Sequence, residues 1–171
     1  AGVLVGWLGE TELAAHTVAL NLASVSFMMA LGVSQAATTR VGNLIGAGEA
    51  WARSAWCALS LSCLLMSASA VAFYFLPETL AGAYTSDRDV LDVAVLLIPI
   101  AAAFQLFDGL QNVAFGILRG VGDVRVPVGI TAIGLWSFGL PFGAWLAFRQ
   151  DWGAPGVWVG LAVGLAVMSG L

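Results

Sequence analysis

The sequence predicts an all-α protein, a polytopic bundle of transmembrane helices. Apolar residues make up 60% of its 171 positions and charged residues only 9%, whereas about a quarter of the residues in soluble domains are charged. The mean hydropathy is +0.95, and the apolar residues form runs that approach or exceed the roughly 20 residues needed to cross a bilayer. The six basic residues are all arginines spread along the chain, so no basic patch for a nucleic acid is expected.

Four complete spans and two partial ones account for the apolar runs. They are predicted over residues 1–8, 13–38, 55–76, 93–118, 126–148 and 157–171. The first and last are incomplete because they meet the ends of the chain, which also begins without a methionine. We therefore expect a single membrane lobe that is a piece of a longer protein.

Polar, glycine and proline residues bound the first two complete spans, 13–38 and 55–76. A polar turn over 9–12 precedes the second run, which Arg40 closes. The glycine-rich segment 41–49 is predicted to be a connection. The third run carries no charge and is stopped by Pro77. The segment 77–92 that follows is rich in acids and is predicted to be a solvated loop.

Prolines shape the remaining spans. Pro99 has no N–H to bond one turn back, so the third complete span, 93–118, is expected to kink about nine residues before Asp108. A tight loop over 119–125 follows. Pro127 suits the first turn of the next span, and Pro141 is expected to bend that span.

The arginines predict the orientation of the lobe, because alternate connections lie on the same side of the membrane. Four arginines fall on one side and two on the other, and the positive-inside rule assigns the richer side to the cytoplasm. These four are Arg40, Arg53, Arg119 and Arg125. The acids assigned to the external side are Glu10, Glu12, Glu78, Asp87, Asp89, Asp92 and Asp151.

Small and aromatic residues predict how the spans meet each other and the lipid. Gly156, Gly160 and Gly164 recur every four residues, which lets a neighbouring helix approach closely. The cysteines, Cys57 and Cys63, point about 120° apart on one helix and are predicted to be small packing residues rather than a disulfide. Six tryptophans fall near predicted membrane interfaces, where indole is favoured: Trp7, Trp51, Trp56, Trp145, Trp152 and Trp158.

The candidate site centres on Asp108, a carboxylate inside a predicted span. An ionised carboxylate near the bilayer centre costs at least about 2.5 kcal/mol, and such residues usually mark ion or substrate pathways. Helical spacing puts Gln105, Gln111 and Asn112 within about 60° of Asp108 around the helix axis. Two interpretations remain open: a site for a coupling ion (Na⁺ or H⁺) or a substrate cation, and a structural carboxyl bonded to a neighbouring helix.

Other residues are weaker candidates. Trp136, about ten residues into its span, either packs in the bundle or forms a cavity wall. His16 either carries a proton or is a polar residue at the outer end of its span, where Asn21 follows it. A single histidine without nearby cysteines predicts no metal-ligand cluster. Asp123 lies about 20 Å along from Asp108, too far for the paired aspartates of an intramembrane protease, so no enzymatic activity is expected.

Several motifs, taken together, resemble one family, the multidrug and toxic compound extrusion (MATE) transporters. The block TRVGNLIGAG over 39–48 is the most specific of them. The others follow the same order along the chain: LAAHTVALNL over 13–22, FQLFDG around Asp108, Leu118-Arg-Gly120, Gly139-Leu-Pro141 and the segment 153–160. The resemblance implies a twelve-helix transporter of two six-helix lobes, with this chain forming most of the second lobe and its complete spans being helices eight to eleven.

The same resemblance implies a function. It suggests a secondary antiporter of the plasma (inner) membrane that exports cationic or amphipathic organic compounds in exchange for Na⁺ or H⁺, without a further cofactor. Asp108 matches the family's tenth-helix aspartate, which is implicated in cation binding. Phe104 stands where some members have a tyrosine, and with Asn21 and Trp136 it is a candidate to line the substrate cavity. An acidic residue that many bacterial members carry on the seventh helix would lie upstream of Ala1.

Two other functions remain as alternatives. A lipid-linked oligosaccharide flippase of the same superfamily would need basic rather than acidic residues in its cavity. A non-transporting membrane subunit would have no use for a carboxylate in the bilayer. The acidic Asp108 therefore favours the antiporter.

Overall fold

The computed structural model describes residues 2–150 and 152–170, and all regular structure within them is helical. In chain order the elements are α1 (Gly2–Gly6), α2 (Glu10–Gly46), α3 (Ala52–Phe75), α4 (Pro77–Gly82), α5 (Arg88–Val121), α6 (Arg125–Thr131), a π-helical segment (Ala132–Gly139), α7 (Leu140–Arg149) and α8 (Gly153–Gly170). Ala1, Asp151 and Leu171, which the sequence assigns to the two partial spans and the last connection, lie outside the described residues.

Four helical stretches in this part of the chain are long and apolar enough to cross a membrane. They are Glu10–Gly46, Ala52–Phe75, Arg88–Val121 and the combined stretch Arg125–Arg149. α8 is a shorter apolar helix. The predicted fold class, an all-α transmembrane bundle, is confirmed.

Helix α5 lies at the centre of the bundle and packs against α2, α3 and α8. Its first turn is capped by Asp87, whose carboxylate accepts the backbone N–H of Asp89 at 3.0 Å. It ends at Gly122, which adopts a left-handed conformation with φ of +94° that glycine tolerates without strain. These two signals bound a helix of 34 residues that places Asp108 well inside the bundle.

Helices α2 and α5 run parallel. Two hydroxyl groups of α2 donate hydrogen bonds to carbonyls of α5, and the sequence separation between donor and acceptor is the same in both. Ser34 Oγ donates to the carbonyl of Asn112 at 2.7 Å, and Thr38 Oγ1 donates to the carbonyl of Gly116 at 2.8 Å, each 78 residues further along. Glycine is needed at 116, because a Cβ there would lie 2.6 Å from the Ser34 carbonyl oxygen. In membrane proteins, small residues allow two helices to approach closely, and hydroxyl groups form hydrogen bonds between them.

Glycines also make the contact between α8 and the preceding span. A Cβ at Gly164 would lie 2.9 Å from the Cα of Gly139, and Gly160 meets Gly143 with no room for a side chain between them. Gly156 packs in the same way against α7. The prediction that these glycines allow close helix approach is confirmed.

The segment 41–49 is only partly the connection that was predicted. Helix α2 continues beyond Arg40 to Gly46. A glycine inside a helix costs only about 1 kcal/mol, and Gly42 is packed against the carbonyl of Gly120 on α5. Packing therefore outweighs the low helix propensity of this segment.

The segment 77–92 is the predicted loop only over 83–87, between α4 and α5. Pro77 ends α3 but also occupies the first turn of α4, where proline is well tolerated because that N–H has no partner in a helix. Helix α5 already begins at Arg88, after its cap at Asp87, so Asp92 is helical as well. The acids of this segment cap and start helices.

The span from Arg125 to Arg149 is not a single α-helix. Its middle, Ala132–Gly139, is π-helical, and Pro141 lies in the first turn of α7. Because proline has no N–H to donate, a regular ladder cannot continue through position 141, and the wider π turns end just before it. Helix α5 is continuous through Pro99, and the kink expected there stays a prediction.

One prediction about side-chain placement is wrong, and another is not tested by burial. Cys57 and Cys63 are exposed on this lobe rather than packed within it. Trp158 is fully buried, so it faces other helices of the lobe, while its predicted position near a membrane interface stays a prediction. The position of a residue along a helix follows from the sequence, whereas the face of the helix that meets a neighbour does not.

Candidate functional site

Asp108 lines a cavity of about 230 Å³ between α2, α3 and α5. Ser24 and Phe27 of α2, Met66 of α3, and Phe104 and Gln105 of α5 line the cavity with it. Asp108 lies about 30 Å along α5 from Arg88 and about 20 Å from Val121, at 1.5 Å per residue. The cavity is therefore within the membrane-crossing part of the helix and far from both of its ends.

The size of the cavity limits what it can hold. Drug-sized ligands occupy pockets of about 300–1,000 Å³, whereas a water molecule takes up about 30 Å³ of liquid. A cavity of about 230 Å³ suits an ion with a few water molecules better than an organic substrate.

Contacts on the residue after Asp108 fix one wall of the cavity. Ser62 Oγ of α3 donates to the carbonyl of Gly109 at 3.1 Å. Met66 packs directly on Gly109, where a Cβ would lie 2.6 Å from the methionine Sδ. The missing side chain at 109 lets α3 close over the backbone beside the carboxylate.

Gln105 lies one turn before Asp108 and is 3% exposed. Neither its Oε1 nor its Nε2 has a hydrogen-bond partner among the described residues. A buried amide left unpaired costs about 1–3 kcal/mol, so this side chain is available to a bound ion or water. Its Oε1 can accept a hydrogen bond or bind a cation directly.

The Asp108 carboxylate itself has no hydrogen bond or ion pair with any described residue. Ser24, across the cavity on α2, donates its hydroxyl hydrogen to the carbonyl of Leu20 at 2.7 Å. Its Oγ therefore keeps lone pairs free. Carboxylate, amide and hydroxyl oxygens are the ligands that hard cations prefer, and three such groups line this one cavity.

Gln111 and Asn112 are not part of the cavity. Gln111 lies in a separate groove lined by α3, α5, α6 and α8, where its Nε2 is 3.9 Å from Met168 Sδ. On a helix, Gln105 and Gln111 are about 60° to either side of Asp108 and hence about 120° from each other. The structure thus brings Gln105 to Asp108, while Gln111 points elsewhere. The Nδ2 of Asn112 is buried without a partner among the described residues.

The three candidates for the substrate cavity lie in different places. Phe104 lines the Asp108 cavity. Asn21 is exposed on α2, next to the cavity-lining Leu20. Trp136 is 70% exposed and borders a shallow surface pocket formed by its own span. It packs neither in this lobe's core nor in the Asp108 cavity, and its place in a cavity between two lobes stays a prediction.

His16 and Trp158 form a buried pair that the sequence did not indicate. The indole Nε1 of Trp158 donates to His16 Nδ1 at 3.0 Å. The same indole meets the ring of Phe104 edge-on, with centroids 5.5 Å apart, so the pair adjoins the Asp108 cavity. No pattern could have revealed the pair because its members are 142 residues apart. The same holds for Ser24 and Met66, which meet Asp108 only across helices.

Asp123 has a structural role that separates it from Asp108. Its Oδ1 accepts the backbone N–H groups of Arg125 at 3.0 Å and Val126 at 3.2 Å, which caps the start of α6. The aspartyl-protease arrangement requires two facing carboxylates, and Asp123 is held at a helix end instead. Within the described residues no group of three or more histidine, cysteine or acidic side chains could hold a metal ion.

The family model MatE matches residues 2–145, which is most of the chain. The chain belongs to the MatE family. This MatE chain is 45% identical over 172 residues to the multidrug resistance protein NorM of Burkholderia vietnamiensis, covering 96% of the chain and 37% of that relative. It is 40% identical over 176 residues to a probable multidrug resistance protein NorM of Brucella suis biovar 1, covering 99% of the chain and 37% of the relative. The chain thus spans little more than a third of the relatives it matches.

Solved structures share the fold of this MatE chain. The eukaryotic MATE transporter AtDTX14 superposes with a TM-score of 0.88 at 24% identity, covering 93% of this chain and 36% of that one. A MOP superfamily transporter from Pyrococcus furiosus gives the same TM-score at 20% identity, covering 98% and 37%. For that second protein, reverse polarity of the binding pocket was taken to suggest a different function.

Proposed function

We propose that this chain is the second lobe of a secondary antiporter that exports cationic or amphipathic organic compounds, and that the Asp108 cavity holds its coupling ion. The observation that carries this proposal is the Asp108 carboxylate beside the buried amide of Gln105, both without a hydrogen-bond partner among the described residues, in a cavity of about 230 Å³ inside a membrane span. The multidrug resistance relatives NorM supply the expected class of substrate.

The proposed mechanism follows from the cost of charge in the bilayer. When no ion is bound, the Asp108 carboxylate must either interact with another group or lose its charge. Na⁺ bound by Asp108, Gln105 and Ser24, or a proton on Asp108, removes that cost. The ion then biases the equilibrium between inward-open and outward-open states, because each state offers it a different set of oxygen ligands.

The substrate would bind elsewhere, between this lobe and the first one. The Asp108 cavity in this lobe, at about 230 Å³, is smaller than the roughly 300–1,000 Å³ of pockets for drug-sized molecules. Coupling then requires that ion binding and substrate binding favour different states of the whole transporter. We propose the plasma (inner) membrane as its location, and neither an enzymatic step nor a further cofactor is part of the scheme.

The alternative functions make opposite demands on the cavity. A flippase for lipid-linked oligosaccharides needs basic groups in its substrate cavity to meet the phosphates, and it gives no reason for an acid such as Asp108 in a cavity inside a membrane span. Pocket polarity was also the feature taken to suggest a different function for the Pyrococcus furiosus neighbour. A non-transporting subunit has no use for the cavity, so it predicts that Asp108 can be replaced without consequence.

The test is ethidium efflux from vesicles that carry the full-length transporter, with a Na⁺ gradient and a proton gradient imposed separately. Asp108→Asn is expected to lose gradient-driven efflux, since the amide cannot take up a proton and neutralises no Na⁺. The gradient that drives efflux by the wild-type protein identifies the coupling ion.

Asp92→Asn is the matched control, because Asp92 is an exposed carboxylate on the same helix. It is expected to transport as wild type does. Unchanged coupled efflux in a well-folded Asp108→Asn protein would rule out the proposed role of Asp108.

A further inference from the structure

A second groove, of about 610 Å³, lies between α2 and α3 and ends at two arginines. Arg40 on α2 and Arg53 on α3 stand at the same end, because the two helices run in opposite directions. From there the groove extends to Gly32 and Leu61, eight residues away on either helix, which is about 12 Å. It takes no part in the Asp108 cavity.

The two guanidinium groups at this end are unpaired. Both side chains are exposed, and neither has a hydrogen bond or ion pair with any described residue. Ser54, one residue after Arg53, also lines the groove, and its hydroxyl has no partner in the described part of the chain. Two cations and a hydroxyl at one mouth make a donor set suited to a phosphate group.

The acids on this face of the lobe do not neutralise the two arginines. Glu49 is in the exposed connection between α2 and α3 and does not line the groove. Asp123 is occupied in capping α6. The other nearby cations are Arg125 and Arg119, and Arg119 donates to Ser34 Oγ at 3.1 Å. The mouth of the groove is therefore positively charged.

The rest of the groove is apolar and reaches about as deep as one lipid leaflet. Its walls carry small side chains, among them Ala36 on α2 and Ala58 and Cys57 on α3. The groove's length of about 12 Å is most of the roughly 15 Å that one leaflet contributes to the hydrocarbon core. A soluble anion would leave this wall bare, whereas an acyl chain would cover it.

We propose that this groove binds an anionic phospholipid of the leaflet on the arginine side, with its phosphate at Arg40 and Arg53 and one acyl chain along the apolar wall. Basic pockets between membrane helices on the cytoplasmic side are suited to such headgroups, and the arginines predict that this side is cytoplasmic. The inference requires only that the lobe spans a membrane, so it stands whether or not Asp108 binds a coupling ion.

The test counts lipids retained by the full-length transporter in native mass spectrometry, after equilibration with equal amounts of dioleoyl phosphatidylglycerol and dioleoyl phosphatidylcholine. A basic side chain near the surface raises affinity for an anionic lipid about fivefold, so two predict a preference of about thirtyfold for phosphatidylglycerol. The double variant Arg40→Gln/Arg53→Gln should retain the two lipids about equally. Replacing both arginines by lysine should keep most of the preference.

Further variants separate this groove from general attraction to the membrane. Arg125→Gln removes a charge from the same face outside the groove and should leave the preference unchanged. Ala36→Phe, which fills the groove, should reduce retention of phosphatidylglycerol, while Ala68→Phe at an exposed position of α3 should not.

Three results would overturn the proposal. The first is equal retention of both lipids by the wild type. The second is an unchanged preference in a well-folded Arg40→Gln/Arg53→Gln protein. The third is displacement of the lipid by inorganic phosphate, which would show that the mouth binds a free anion and that the apolar wall contributes nothing.

Discussion

Trp158 donates its indole hydrogen to Nδ1 of His16 over 3.0 Å, and both side chains are buried. The bond joins α8 to the first part of α2. It also fixes the histidine tautomer, because an accepting Nδ1 leaves the proton on Nε2. The same indole contacts the ring of Phe104, which lines the Asp108 cavity. The Trp158 side chain therefore links α8 to α2 and α5 beside the candidate site.

We expect Trp158→Phe to lower the stability of the lobe by about 1–3 kcal/mol, because it leaves His16 Nδ1 buried without a donor. The measurement is the thermal unfolding midpoint of the full-length protein in detergent. Trp152→Phe is the control, since Trp152 is 52% exposed and exposed substitutions usually change stability by less than about 0.5 kcal/mol. Equal midpoints for the two variants would contradict a stabilising role for the bond.

We expect Gly160→Ala to destabilise the protein by about 1–3 kcal/mol, because the new methyl group would meet the backbone of Gly143 and force α8 away from the preceding span. Gly129→Ala makes the same chemical change on α6, where nothing lies within 4 Å of the added Cβ. There the substitution should be neutral or stabilising by about 0.4–1 kcal/mol. Thermal unfolding of both variants decides the matter, and the prediction fails if Gly160→Ala unfolds at the temperature of Gly129→Ala.

We expect Gln105→Leu to lower the affinity for the coupling ion without lowering the stability of the fold. Removing one neutral oxygen ligand should raise the ion concentration for half-maximal efflux by about two- to tenfold. The unfolding midpoint should stay or rise, because the amide has no protein partner among the described residues to lose. The measurement is ethidium efflux at varied ion concentration.

Gln111→Leu is the matched control for that experiment. Gln111 is also buried on α5, but it lies in the groove with Met168 rather than beside Asp108. The ion concentration for half-maximal efflux by Gln111→Leu should equal that of wild type. If both leucine variants shift the ion dependence alike, the site extends beyond the Asp108 cavity and the assignment of Gln105 is wrong.

Much of the fold followed from local patterns in the sequence. The complete spans follow from run length and hydropathy, which depend on neighbouring residues alone. The every-fourth glycines of α8 predicted a close contact because that spacing puts them on one face. The segment 77–92 was predicted correctly only over 83–87, because acids and a proline are compatible both with a loop and with helix starts. Packing of the short helix α4 decided for the helix over 77–82.

The candidate site could be predicted only in part. Asp108 stood out because a charge in an apolar run is costly in any bundle. Its neighbours Gln105 and Gln111 are equivalent by helical angle, and only the positions of α2 and α3 show that one of them shares the cavity. Ser24 and Met66 come from other helices, so no spacing along α5 could have indicated them.

The amino-acid sequence alone established the membrane-spanning class, the family resemblance and the single carboxylate on which a function can be built, because hydropathy, motif order and the cost of a buried charge are properties of local sequence. The tertiary structure decided which faces meet. It paired Trp158 with His16, exposed Cys57 and Cys63, and opened a positively charged groove at Arg40 and Arg53. These outcomes depend on how helices distant in sequence pack together, and the residue pattern within one helix does not indicate which helix it packs against.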